Sequence, residues 1–182
     1  MTQDTGGIVE GEAMQATSDQ HRILIAEDDV DIRQVLCAFL EHSGFMVCAA
    51  SDGREAISLI PEFRPHLIVL DLIMQPVSGW EVLNWLRTNY QAPGDRLETS
   101  LPMIPVLVLT ALTPLKEQVQ GFEAGAVEYM TKPTQPSTLV KRIRNILSLS
   151  IEQRTMLQHR RIDERRGILE RVYAPPPDEF TY

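Results

Sequence analysis

Four apolar runs in the chain lead into side chains suited to handling a phosphoryl group or a metal ion. RILIA runs into Glu27, Asp28 and Asp29, HLIVL into Asp71, and MIPVLVL into Thr110. A shorter run, VEYMT, is followed at once by Lys132. Carboxylates gathered in one pocket repel each other, and a divalent cation removes that cost. Hard oxygen donors supplied by few side chains suit Mg²⁺, which keeps several of its waters. A hydroxyl and an ammonium beside them would bind the oxygens of a phosphoryl group placed on Asp71. Taken singly, each residue has a plainer role. Asp29 and Asp31 stand where helix N-caps stand, Asp71 is a loop acid, Thr110 closes a strand, and Lys132 suits solvent. The conjunction argues otherwise, because each run ends in the required type and in the right order.

Positioning those residues requires strands that end together. The apolar runs are short and do not alternate, which predicts buried strands. Between them lie segments of helical spacing. Ile32, Val35, Leu36, Phe39 and Leu40 form the first, stopped by Gly44. A second starts at Asp52-Gly53 and is expected to end near Pro61. The third runs from Gly79 to about Tyr90, the fourth from about Pro114 to Ala124, and the fifth begins near Pro136. FMVCAA supplies the remaining strand. Five strand–helix units in succession predict an α/β fold with a parallel sheet covered on both faces. In such sheets ligands bind beyond the carboxyl ends of the strands, where the strand order switches. With the order 2-1-3-4-5, the acids of the first and third strands converge at that switch.

Composition narrows the function. Of the 182 residues 43% are apolar and 23% charged, as in ordinary globular domains. The net charge of −8 argues against general affinity for nucleic acid, which needs clustered Lys and Arg. Only residues 152–172, with six arginines against four acids, offer such a cluster. Cys37 and Cys48 are expected to be reduced core residues rather than a disulfide or zinc framework. No apolar run has the length of a membrane span, and the N-terminus lacks the pattern of a signal peptide, so a cytoplasmic location is expected. Residues 1–20, acidic and without period, are expected to be a disordered leader. The organised domain spans 21–148, a charged helical extension 149–173, and a disordered tail 174–182.

The segments ILIAEDDVDIRQVL, LIVLDLIMQPVSGWEVL, VLVLTAL and EAGAVEYMTKP resemble the receiver domain of two-component response regulators, of the stand-alone, single-domain type. The resemblance covers about residues 21–148. It implies a flavodoxin-like doubly wound (βα)5 fold with a C-terminal helical addition. It implies that Asp71 is the phosphoacceptor, supplied by a histidine kinase or phosphotransfer protein as in a phosphorelay. It implies an Mg²⁺ site made by Glu27, Asp28, Asp71 and the backbone carbonyl of Ile73. Thr110 would be the switch hydroxyl, Lys132 the phosphoryl-binding lysine, and Tyr129 the switch aromatic that turns inward when Thr110 moves. The face of the fourth helix, fifth strand and fifth helix would then signal to a downstream protein partner, with a homodimer as a further possibility and no membrane.

The pattern departs from the family at three places. Gln75 stands where a proline is usual, with Pro76 next, and Thr134 replaces an aromatic after Lys132-Pro133. The connection at about 91–103 is longer than usual and, as an α-to-β loop, is expected at the end of the sheet away from the site, leaving the chemistry alone. Rival readings are an aspartyl-phosphate phosphatase, a phosphorylation-independent scaffold, and a DNA-binding regulator acting through the C-terminal basic helix. The first is disfavoured because Leu72 and Ile73 follow Asp71, where that class has an Asp-x-Asp pattern on its first strand. Self-phosphorylation and self-dephosphorylation, rather than turnover of a substrate, are therefore expected.

Four finer expectations follow. The resemblance implies that the Lys132–Pro133 peptide is cis, which the small trans preference of an X-Pro bond allows. Residues 149–173 are expected to extend the last helix or form a separate one, weakened or ended by Gly167. The apolar pairs 156–157 and 168–169 are expected to dock it on a partner or second protomer. The resemblance implies that the side chains two residues after Asp71 and two after Thr110 flank the in-line path of water; here they are Ile73 and Leu112, both bulky and apolar, which is expected to lengthen the life of phospho-Asp71.

Overall fold

In the computed structural model, residues 20–89 and 104–173 are described. The leader, the 91–103 connection and the 174–182 tail fall outside them. Five parallel strands make one sheet: β1 (Arg22–Ala26), β2 (Met46–Ala50), β3 (Leu67–Leu70), β4 (Val106–Thr110) and β5 (Ala126–Thr131). Their order is β2-β1-β3-β4-β5, the order expected of the fold that the resemblance implied. The strands are joined by α1 (Val30–His42), α2 (Gly53–Phe63), α3 (Gly79–Asn89) and α4 (Leu115–Glu123). α5 (Pro136–Ser148) and α6 (Ile151–Tyr173) complete the chain.

β1, β3 and β4 are apolar on both faces because both are covered. Alternate residues of β1 feed two cores. Ile23 and Ile25 pack with Leu36 and Leu40 of α1 and Leu139 and Ile143 of α5. Leu24 and Ala26 face Ile60 of α2, Val82 and Leu83 of α3, and Phe122 of α4. Cys48 on the edge strand β2 and Cys37 on α1 are free thiols, partly buried and packed against the two cores, as expected of reduced residues there.

Local chemistry sets the helix ends. Asp29 caps α1 by accepting from Ile32 N at 2.9 Å, and Asp52 caps α2 through Arg54 and Glu55. Gly44, with φ 90°, adopts the left-handed turn after α1 that a side chain disfavours. α2 ends near Pro61 as expected, two residues beyond it at Phe63. It carries the proline in its last turn, where one missing N–H costs a single bond, and closes at Arg64 in a left-handed conformation. The Lys132–Pro133 peptide is cis as expected, and so is Gln75–Pro76.

α6 corrects two expectations. It is separate from α5, but it runs straight through Gly167 to Tyr173. It docks on its own chain, along α4 and β5, rather than leaving that face to another molecule. Its inward face mixes polar side chains with Leu157 and Ile162. Gln158 Nε2 donates to Phe122 O at 2.5 Å, and the Arg161 guanidinium pairs with both carboxylate oxygens of Glu128 on β5. The Arg165 guanidinium lies 4.7 Å over the Phe122 ring, and Arg166 pairs with Glu123. Arginine stems cover apolar surface while their heads find acids, so a helix poor in hydrophobic periodicity still docks. Leu157 and Ile162 pack inward, whereas Met156 and Ile168 of the same apolar pairs stay exposed. The contacts to α4 hold the turn around Gly167, whose intrinsic cost in a helix is only about 1 kcal/mol.

Candidate functional site

Among the described residues four polar side chains are buried, and three of them are Glu27, Asp71 and Thr110. The sheet register explains why they meet. Ala26 pairs with Leu70, so the next residues, Glu27 and Asp71, emerge side by side at the switch in strand order. Asp71 N donates to Ala26 O at 2.9 Å and ties the two strand ends together. Lys132 N donates to Thr110 O at 2.9 Å, which brings the end of β5 against the end of β4.

Lys132 reaches across the pocket. Its Nζ lies 2.5 Å from Asp71 Oδ2 and 2.8 and 2.6 Å from the two carboxylate oxygens of Glu27. Asp71 Oδ1 accepts from Ile73 N at 2.9 Å, so both oxygens are oriented. Burial pushes the Glu27 carboxyl above its ordinary value, and the hydrogen bond and charge of Lys132 offset this only in part. For Lys132 burial acts downward, but the hydrogen bonds to Asp71 and Glu27 outweigh it and raise the ammonium's pKa. Lys132 is therefore a cation fixed between two carboxylates.

Asp28, exposed at the rim, completes an acidic cluster. One carboxylate oxygen from each of Glu27, Asp28 and Asp71 lies within 4.8 Å of the others. With three carboxylates ionised and Lys132 charged, the pocket carries a net charge that one divalent cation would neutralise. The donors are hard oxygens, as Mg²⁺ requires. The residues present thus fit the expected ion.

Thr110, fully buried, accepts from Leu112 N at a long 3.4 Å. Tyr129 is not poised outside. Its ring is buried against Gly121 and Phe122, and its hydroxyl donates to Leu112 O at 3.1 Å. The inward position is therefore occupied already, because that carbonyl gives the phenol a partner in an apolar setting. Burial, with Glu117 and Asp71 nearby, pushes its pKa up to about 12. Ile73 is 50% exposed at the mouth of the site. The Leu112 side chain is half-buried and turned onto the core that contains Tyr129, which weakens its expected role beside the water path.

Two residues escaped the sequence reading. Arg33 Nη1 donates to Glu27 O at 2.6 Å and to Asp28 O at 3.1 Å, so α1 clamps the loop that bears the acids. The available signal was a basic residue one turn into the helix that follows them. Gly79 N donates to Leu72 O, and a Cβ at Gly79 would stand 2.0 Å from the Asp71 carbonyl oxygen. Its signal was a glycine, a poor helix former, at the first helical position directly after the capping serine Ser78.

Comparisons with known proteins agree with this geometry. Residues 23–144 match the model of the response regulator receiver domain. The chain is 40% identical over 126 residues to the response regulator MprA of Mycolicibacterium vanbaalenii, covering 69% of this chain and 50% of that protein. It is 36% identical to the DNA-binding dual master transcriptional regulator RpaA of Synechocystis, covering 69% and 48%. Among solved structures, the chemotaxis protein CheY4 of Vibrio cholerae is 27% identical with a TM-score of 0.61, covering 70% of this chain and 99% of that one. The chain spans about half the length of the curated relatives it matches. One of them is named DNA-binding, so the exclusion of nucleic acid as a partner finds no support there. No helix among the described residues is long and apolar enough to cross a membrane. With the strand order, the acidic pocket and a family match over two thirds of its length, this chain belongs to the response regulator receiver domain family.

Proposed function

We propose that this chain accepts a phosphoryl group on Asp71 from a phosphohistidine of a histidine kinase or phosphotransfer protein, with Mg²⁺, and signals to a protein partner through its surface. The observation that carries the reading is Lys132 Nζ placed 2.5 Å from Asp71 Oδ2 while also held by Glu27. An Asp71 carboxylate oxygen attacks phosphorus in line. The phosphorus–nitrogen bond breaks as the acyl phosphate forms, and the imidazole leaves with the electron pair and takes a proton from solvent. Lys132 pairs with a phosphoryl oxygen as charge develops, and the Thr110 hydroxyl donates to another. Glu27, Asp28, Asp71 and the Ile73 carbonyl would hold the ion, which supplies charge neutralisation at the phosphoryl oxygens. Water attack on phospho-Asp71 later restores the carboxylate and releases phosphate. Both steps act on the chain itself, so it is a switch rather than an enzyme with turnover on a separate substrate.

The rival DNA-binding reading through the C-terminal basic helix requires α6 to leave α4 and β5. Arg161, Arg165 and Arg166 are engaged with Glu128, Phe122 and Glu123 of the same chain. The test is incubation with acetyl phosphate and Mg²⁺, followed by mass spectrometry of the intact chain. The expected result is a single added phosphoryl group that disappears in Asp71→Asn. Undiminished labelling of that variant would overturn the assignment.

A further inference from the structure

α6 grips two elements at once, and one of them leads back to Asp71. Arg161 is bonded to Glu128 and to Val127 O of β5, while Arg165 and Arg166 hold Phe122 and Glu123 of α4. Arg142 of α5 lies 3.6 Å from Glu128 and braces the same anchor. The Phe122 ring packs against Tyr129, with centroids 6.2 Å apart. Tyr129 bonds to Leu112 O, and Leu112 N bonds to Thr110 Oγ. A continuous chain of contacts therefore runs from the pocket to the arginines of α6.

The direction of the coupling follows from the geometry. A phosphoryl oxygen on Asp71 draws the Thr110 hydroxyl toward it and strains the 3.4 Å contact to Leu112, three residues before α4 begins. A shift of that segment carries α4 relative to β5. Both are stiff, packed elements that move as units. A helix bonded to both cannot keep all its contacts when they slide.

Resting on the phosphoacceptor reading of Asp71, we propose that α6 is an intramolecular clamp on the α4–β5 surface. Docked, it ties α4 to β5 and opposes the rearrangement that a phosphoryl group drives. A phosphoryl group on Asp71 loosens it and uncovers the surface beneath. Linkage makes the effect mutual: the factor by which docked α6 weakens binding of a phosphoryl mimic equals the factor by which the mimic weakens docking. Helices draw most of their stability from tertiary packing, so an undocked α6 frays and its amides exchange.

The experiment is hydrogen exchange of the full chain in Mg²⁺, with and without beryllofluoride, in wild type and in Arg161→Ala/Arg165→Ala. In wild type, beryllofluoride is expected to speed exchange across residues 151–173 at least tenfold. The double variant is expected to exchange fast in that segment without the mimic and to bind beryllofluoride about tenfold more tightly, as the linkage requires. Slowed exchange near Thr110 and Lys132, showing the mimic bound, with α6 protection unchanged would overturn the clamp and leave the phosphoacceptor reading intact. So would a double variant with a loosened α6 and an unchanged affinity for the mimic. A chain that neither binds beryllofluoride nor takes a phosphoryl group on Asp71 overturns both.

Discussion

Replacing Gly79 by alanine should damage the site without touching a reacting atom. The first residue of α3 lies directly on the end of β3, and an added Cβ would sit 2.0 Å from the Asp71 carbonyl oxygen and 2.8 Å from Leu72 Cα. Side-chain Cβ atoms essentially never approach within 3.0 Å of other heavy atoms, so α3 and the Asp71 segment must separate by about 1 Å. The obstacle is backbone on both sides, so no side chain can swing away. Overpacking of this kind costs about 1–3 kcal/mol. The larger effect is on geometry, because a misplacement of about 1 Å at a reacting group can cost up to about 10²-fold in rate. Gly167 in α6 is the control: a Cβ there meets nothing within 4 Å, and alanine should stabilise that helix by roughly 0.5–1 kcal/mol. Urea unfolding reads the stability term, and initial rates of phosphorylation by acetyl phosphate at fixed Mg²⁺ read the geometric one. A Gly79→Ala chain with a wild-type urea midpoint and a phosphorylation rate within twofold of wild type would refute the argument that this backbone contact sets the position of Asp71.

Three further outcomes are expected. Lys132→Ala leaves Glu27 and Asp71 buried without their cation, so unfolding in chelator should show a loss of about 3–5 kcal/mol, partly restored by millimolar Mg²⁺; no dependence of the loss on Mg²⁺ would contradict the charge argument. Tyr129 is neutral when protonated, and its pKa of about 12 lies above the ordinary 10 of an unfolded chain. Its contribution, on the order of 2–3 kcal/mol, is thus present below about pH 10 and lost as pH rises through 12. In Tyr129→Phe, alkaline unfolding followed by circular dichroism should lose that part of the pH dependence; an unchanged alkaline limb would mean the phenol is not the group responsible. Finally, Ile73→Asn, at the open mouth, should speed decay of phospho-Asp71 about tenfold, equivalent to about 1.4 kcal/mol. Leu112→Glu should change it less, since that side chain is turned onto the core, and equal acceleration by both would contradict the packing.

The strand–helix alternation, the strand ends and the identity of the pocket were legible in the sequence for a common reason. Each depends on local pattern: non-alternating apolar runs mark doubly buried strands, and the acids, Thr110 and Lys132 follow those runs directly. Once strands are parallel and doubly wound, their carboxyl ends must face one side, so residues far apart in sequence converge without further information. What pattern does not carry is contact between backbones and between faces of opposite polarity. Gly79 matters because of a distance to another strand's carbonyl, and Arg33 because its guanidinium finds two carbonyls of the loop before its helix. α6 shows the limit most clearly. Its hydrophobic residues keep no stripe, and read alone they suggested a surface for another molecule. Tertiary structure supplies what periodicity does not show: Glu128, Glu123 and the ring of Phe122 lie in a row on α4 and β5, spaced to take the arginines of a helix that follows in the same chain. Docking through charge and cation–π contacts depends on the partner surface as much as on the helix, and that surface exists only once the sheet has formed.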